Sequence, residues 1–319
     1  MRYILAPLAE FTDAPFRLLC REAGADMTYT EMVSAAALFY GHGPTRHLME
    51  VMPGEGPVVC QLFGAKEEEL AFATREASSL RSLDGASPRF CAIDLNAGCP
   101  MPRIMNAGAG ATLVEDPERV YRLLKAMAEN TDLPVTLKTR LGPRRGDNRI
   151  FELVDAAERA GAKGLTVHAR YTSQMHGGPV NLETLAEVVS RTKLPVTGNG
   201  GIKTVEDARS MEQTGVVAVM VARTPLSDPS IFARLKGSGE EKAGPEWARR
   251  HLELLLEFRR MLASKYPDDH VPSEDGYVGI KMHTHLFRYF KGYPGAAKLR
   301  ARLNEIRTLA EVREILSQY

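Results

Sequence analysis

Eight short apolar or β-branched runs alternate with amphipathic helical segments over about the first 235 residues, and they predict an α/β chain, a TIM (β/α)8 barrel. Nearly every run ends in polar residues. That pattern suits a site built from the C-terminal ends of many strands, rather than at the single switch point of a doubly wound sheet. Beyond Lys236 the composition changes to GSGEEKAGPEW and then to long helical patterns, which predict a C-terminal all-helical domain. The expected boundaries are a barrel over 1–236, a linker over 237–245 and a helical domain over 246–319.

The first run, RYILAPL (2–8), leads to Thr12-Asp13-Ala14-Pro15, where a capping residue ahead of a proline opens a helix. MTYTEMV (27–33) contains Glu31, GPVVCQLFG (56–64) carries Gln61, and FCAIDLNAG (90–98) brings Asn96 just before Cys99. Asp116-Pro117-Glu118 opens a further helix. LPVTLKTRLG (133–142) carries Lys138 and Arg140, and GLTVHAR (164–170) carries His168 and Arg170. LPVTGNGGI (194–202) ends in Asn199-Gly200-Gly201, Thr204-Val205-Glu206-Asp207 caps the next helix, and VVAVMVAR (216–223) ends at Ala222-Arg223. Near-continuous apolar runs fit a parallel sheet covered on both faces.

With 41 Lys+Arg against 40 Asp+Glu, the chain is nearly neutral, so a nucleic-acid partner needs a local basic patch. The segment from Lys281 to Arg307 supplies one: seven Lys+Arg against the single Glu305, with Phe287, Tyr289, Phe290 and Tyr293 interleaved. Lys281, Arg288, Lys291, Arg300 and Arg302 are its candidate contacts to RNA, whose phosphates take the charge and whose unstacked bases lie on rings. A solvated helix face over an aromatic core is the alternative reading. No window approaches 18 consecutive apolar residues, and MRYILAPLAEF enters a strand without a cleavable signal pattern, so a cytoplasmic protein with no membrane partner is expected. Cys20, Cys60, Cys91 and Cys99 form no C-x-x-C, which argues for reduced thiols and against a metal site.

Among the candidate site residues, Lys138 lies deep in an apolar run, where a charge needs an acceptor. A buried salt bridge would satisfy it, and so would the N1/O2 edge of a flavin. Gln61 offers both a donor and an acceptor to a ring edge, and His168 gains weight from its place opposite Lys138. GNGGI and the Arg223 turn follow the seventh and eighth runs, where barrels commonly build a phosphate site from glycine N–H groups. Cys99 is an ordinary thiol unless activated, protonated at neutral pH and able to donate a proton.

The chain resembles the tRNA-dihydrouridine synthases through LAPLAEFTDAPFR, TEMVSA, QLFG, DLNAGCP, LKTRLG, VHAR and GNGGI, with LFRYFKGYPGAAKLRARL similar to that family's helical domain. The resemblance implies FMN at the barrel mouth, with Pro7, Leu8, Ala9, Gln61, Lys138 and His168 around its ring. Asn199, Gly200, Gly201, Ala222 and Arg223 would hold its phosphate. It implies NADPH as reductant, hydride transfer to C6 of a D-loop uridine, a proton from Cys99 to C5, and Asn96 positioning the base. Arg140 and Arg170 are further substrate candidates, tRNA is the partner, and a monomer is expected. Leu8, Ala169, Gly200 and the VARTP turn depart from the commonest family pattern. Two other readings share the residues: a reductase of free pyrimidines or enones, which ignores RNA, and an inactive tRNA-folding chaperone, against which Cys99 and Lys138 speak.

Overall fold

The structure is a computed structural model that describes residues 1–82, 85, 87–239, 244–291, 293, 299, 302–303 and 305–319. Eight parallel strands close on themselves: β1 (Arg2–Leu5), β2 (in two pieces, Met27–Tyr29 and Val33–Ser34), β3 (Val58–Phe63), β4 (Ala92–Ala97), β5 (Val135–Arg140), β6 (Gly164–His168), β7 (Val196–Asn199) and β8 (Ala218–Val221). Each strand pairs with the next, and β8 returns to β1 through Tyr3 opposite Val219, so no sheet edge is left open. This is the expected TIM barrel.

The break in β2 has a local cause. Thr30 keeps its N–H on the Val59 carbonyl but takes the Gln61 N–H on its hydroxyl at 3.0 Å in place of a backbone carbonyl, and the buried Glu31 carboxylate accepts the backbone N–H of Glu10 at 2.5 Å. Both pieces still pair with β3.

Strand parity divides the core. Tyr3 and Leu5 pack outward under the helices, while Ile4, Tyr29, Val59, Ala92 and Met220 point inward and fill the barrel floor. Above that floor the inward positions become polar, at Gln61, Asp94, Asn96, Thr136, Lys138, His168 and Asn199.

The helical caps follow the sequence. The Asp13 carboxylate accepts the Phe16 N–H at the start of α1 (Ala14–Glu22), and Asp116 and Thr204 cap their helices in the same way. The C-terminal helices are α2 (Gly244–Lys265), α3 (Glu274–Tyr289) and α4 (Leu309–Ser317). The first of them begins at Gly244, inside the expected linker, and it packs on α1. Gly244 has to be a glycine: a Cβ there would run into the carbonyl of Tyr289.

Polar ties fasten the helices to the barrel. The buried Glu50 carboxylate accepts from Lys265 Nζ at 2.7 Å and from the Tyr266 hydroxyl at 2.6 Å, and Arg250 reaches Glu22. Between them Phe16 packs on His251 and His285, whose rings cross at 4.4 Å.

Candidate active site

The polar residues meet because they share one parity on neighbouring strands. Register puts Gln61 beside Asp94, Asn96 beside Lys138, and His168 beside Asn199, with all of the side chains turned into the barrel mouth. Lys138 Nζ donates to Asn199 Oδ1 at 3.2 Å, and Asn199 Nδ2 in turn donates to the Met220 carbonyl at 2.8 Å. Burial and the Arg140 charge pull the Lys138 ammonium below the ordinary lysine value, against the opposing pull of Asp94.

Cys99 sits on a turn held from three sides. Asn96 Oδ1 accepts the N–H groups of Gly98 and Cys99 at 3.1 and 3.0 Å. Arg140 Nε donates to the Gly98 carbonyl at 2.7 Å, and the Ala111 N–H reaches the Cys99 carbonyl at 2.8 Å. Gly110 makes the last contact possible: it has φ +61°, and a Cβ there would lie 2.7 Å from the Cys99 carbonyl oxygen. The thiol is partly exposed and within electrostatic reach of Lys138 and Arg140.

His168 is kept neutral. Burial, followed by the charges of Lys138, Arg140 and Arg170, holds it well below the ordinary histidine value. Arg170 Nη1 lies 3.1 Å from His168 Nε2; arginine can only donate, so that nitrogen accepts and the ring proton sits on Nδ1. Gly200 lies against this ring with φ +115°, and a Cβ there would be 2.7 Å from His168 Cδ2. The His168 ring therefore leaves no room for a side chain at Gly200.

Arg140 and Arg170 tie down the loop that follows β6. Arg140 Nη1 donates to the carbonyls of Tyr171 and Met175, Arg170 donates to the Gly178 carbonyl, and Arg223 reaches the His176 carbonyl at 3.2 Å. With Arg140 1% and Arg170 6% exposed, both guanidinium groups are buried against these loops. Pro7, Leu8 and Ala9 lie at the mouth after β1, where the Thr12 hydroxyl and N–H both reach the Leu8 carbonyl. Ala222 follows β8 and is partly buried, and Arg223 is exposed.

The tail cations have other company. Lys281 pairs with Asp13 at 3.3 Å, the Arg302 guanidinium with Glu314 at 2.8 Å, and Arg288 stacks on the Phe11 ring at 4.7 Å. Lys291 is exposed, and Arg300 lies outside the described residues. Of the aromatics, Tyr289 and Phe290 are core residues, 2% and 1% exposed. Asp94 was not among the sequence candidates, although its place two residues before Asn96 on the same strand face marks it as inward. Gly110 had no signal beyond a short glycine run.

Among the described residues, no group of three or more His, Cys, Asp or Glu is arranged to hold a metal, and no helix is long and apolar enough to cross a membrane.

A family model described as dihydrouridine synthase matches residues 4–319. A probable tRNA-dihydrouridine synthase 1 of Synechocystis sp. is 32% identical over 329 residues, covering 99% of this chain and 86% of that protein. The tRNA-dihydrouridine synthase B of Pseudomonas aeruginosa is 33% identical over 311 residues, covering 96% of this chain and 88% of that protein. Among solved structures, morphinone reductase superposes with a TM-score of 0.51 at 14% identity, covering 77% of this chain and 88% of its own, a likeness of fold.

Proposed function

This chain belongs to the dihydrouridine synthase family, and we infer that it is an FMN- and NADPH-dependent reductase of uridine in the D-loop of tRNA. The observation that carries this reading is the Cys99 turn, held by Asn96 and Arg140 beside the inward layer of Lys138, His168 and Asn199.

The donor set fits FMN. Gly200 and Gly201, with φ +115° and +81°, leave the backbone at the end of β7 free of Cβ atoms, as close approach to a phosphate requires, and Arg223 adds a cation nearby. Lys138 would supply the cation for the N1/O2 edge of the ring, while Gln61, expected at the ring edge, has no exposed surface and bonds Asp94 and Asn96 beneath it. Bound there, FMN would take a hydride from NADPH and pass it to C6 of the uridine.

The remaining chemistry belongs to the chain. Cys99, as a thiol, donates the proton to C5, and the fixed turn keeps the sulfur at close range to that carbon. Asn96 spends its carbonyl on the turn and its amide on Gln61, so it positions the base indirectly by setting the Cys99 side of the pocket. The uridine has to leave its stack to reach the pocket, and exposed tail cations such as Lys291 would grip the folded tRNA while it does so.

The test is direct. Purified protein should be yellow and should form dihydrouridine in tRNA but not in free uridine. Cys99→Ala should keep its flavin and its NADPH-dependent bleaching and lose dihydrouridine formation by about 10²–10⁴-fold, the usual worth of a positioned acid. A protein that releases no flavin on denaturation would overturn the reading. Turnover of free uridine would turn it toward a small-molecule reductase.

A further inference from the structure

We propose that Asp94 is a positioning residue whose carboxylate sets both amides beneath the site and, through them, the turn that carries Cys99. The proposal rests on the reading of Cys99 as the proton donor.

Asp94 is fully buried, with 0% exposure, and Gln61 beside it is equally so. An ionised carboxylate can only accept, so each of its oxygens faces a donor. Oδ1 accepts from the Thr136 hydroxyl at 2.6 Å and Oδ2 from Gln61 Nε2 at 2.8 Å. With its nitrogen turned to Asp94, Gln61 presents Oε1 to Asn96 Nδ2 at 2.9 Å. Asn96 then has only Oδ1 left for the turn, and that oxygen accepts the N–H groups of Gly98 and Cys99.

Each amide could face either way by shape alone. The acceptor-only carboxylate at one end and the donor-only N–H groups of Gly98 and Cys99 at the other remove the choice at both, because a reversed Gln61 would set its carbonyl against Asp94 and its N–H groups against those of Asn96. The interior is dry enough for each such mismatch to be costly. Burial raises the Asp94 carboxyl to about 6, against the pull of the Thr136 and Gln61 hydrogen bonds and the Lys138 charge, so it is ionised at neutral pH.

The experiment compares Asp94→Ala and Asp94→Asn, each made alone and in a Cys99→Ala background. Asp94→Ala should keep flavin and its reduction by NADPH while slowing reoxidation of the reduced flavin by tRNA on the order of 10²-fold, the cost of a misplaced catalytic group. Asp94→Asn should stay within about tenfold, because the Thr136 hydroxyl can turn to accept from the new amide and leave the new carbonyl for Gln61. Asp94→Asn combined with Thr136→Val removes that rotor. It should fall between Asp94→Asn and Asp94→Ala, because the new carbonyl still accepts from Gln61 while the new amide N–H groups have no acceptor, and it stands in for Asp94→Ala if alanine at this site does not fold.

In the Cys99→Ala background none of these changes should slow reoxidation further, since groups acting as one unit are not additive. A readout independent of flavin is alkylation of Cys99 by iodoacetamide in the flavin-free protein, followed by peptide mass. Its rate should change several-fold in Asp94→Ala and stay unchanged in Asp94→Asn. Equal slowing of flavin reduction and reoxidation, full additivity with Cys99→Ala, or unchanged alkylation in Asp94→Ala would overturn the proposal. Undiminished activity of Cys99→Ala alone would overturn the proton-donor reading instead, and the alkylation result would still report on the turn.

Discussion

The barrel mouth and the C-terminal helices are both rich in Lys and Arg, yet they treat those charges in opposite ways. In the helices, Lys281 meets Asp13, Lys265 meets Glu50, and Arg302 meets Glu314, so these three cations are neutralised where they sit. At the mouth, Arg140 and Arg170 spend their donors on backbone carbonyls, and no carboxylate acts on either charge among the described residues. Carbonyl dipoles hold a guanidinium in place without cancelling its charge. The mouth is therefore the region with positive potential left over for an anionic cofactor, and the helices are chiefly a docked layer whose Lys265 and Lys281 meet carboxylates of the barrel.

The sharpest way to break this comparison is to remove one cation from each region. Lys138→Met should weaken FMN binding by about 10–100-fold, the worth of a charge-assisted hydrogen bond, in a titration of flavin into the apoprotein. Lys281→Met should leave flavin affinity unchanged and instead cost about 3 kcal/mol of stability in denaturant unfolding, because Asp13 and Glu31 would stay buried without their countercharge. If Lys281→Met altered flavin binding as much as Lys138→Met, the contrast would fail.

A smaller effect concerns acid. His251 is pushed down to about 4 by burial, against the pull of Asp13, and His285 is held well below the ordinary histidine value by burial and the neighbouring charges. Both are neutral when folded, whereas the unfolded chain takes up protons below about pH 6.5. Stability is therefore full above pH 6.5 and is lost as pH falls from there toward 4, by up to about 1.4 kcal/mol per pH unit for each ring. His285→Phe should flatten that loss by one ring's share in melting curves at several pH values; an unchanged slope would contradict the assignment. Among the described residues, neither nitrogen of His285 has a hydrogen-bond partner, so the change gives up no bond.

Smallest of all, exposed Lys291→Glu should weaken tRNA binding evenly across tRNA species and lower the salt slope by about one. An unchanged slope would place the tRNA elsewhere on the surface.

Much of this protein could be read from its residues. The eight strands, the caps at Asp13, Asp116 and Thr204, and the helical tail follow from periodicity and capping chemistry, which act over a few residues. The inward set of Gln61, Asn96, Lys138, His168 and Asn199 follows from strand parity once a barrel is assumed. What those residues bond to did not follow. Arg140 and Arg170 read as substrate candidates, and the carbonyls they bond could not be read from their strands, because those of Arg140 come from turns 31 to 42 residues away. Asp94 looked like one more polar residue in a strand until register set it against Gln61 and Thr136.

The tail shows the same limit. A run of cations and rings reads alike whether it faces RNA or a core, and only packing buried Tyr289 and Phe290 and brought Asp13 to Lys281. Local sequence determined the barrel, the helical layer and the chemical types at the mouth, because those depend on spacing and side-chain character. Tertiary structure decided which charges stay uncompensated and which amide faces which way, because both depend on partners that only the closed fold brings together.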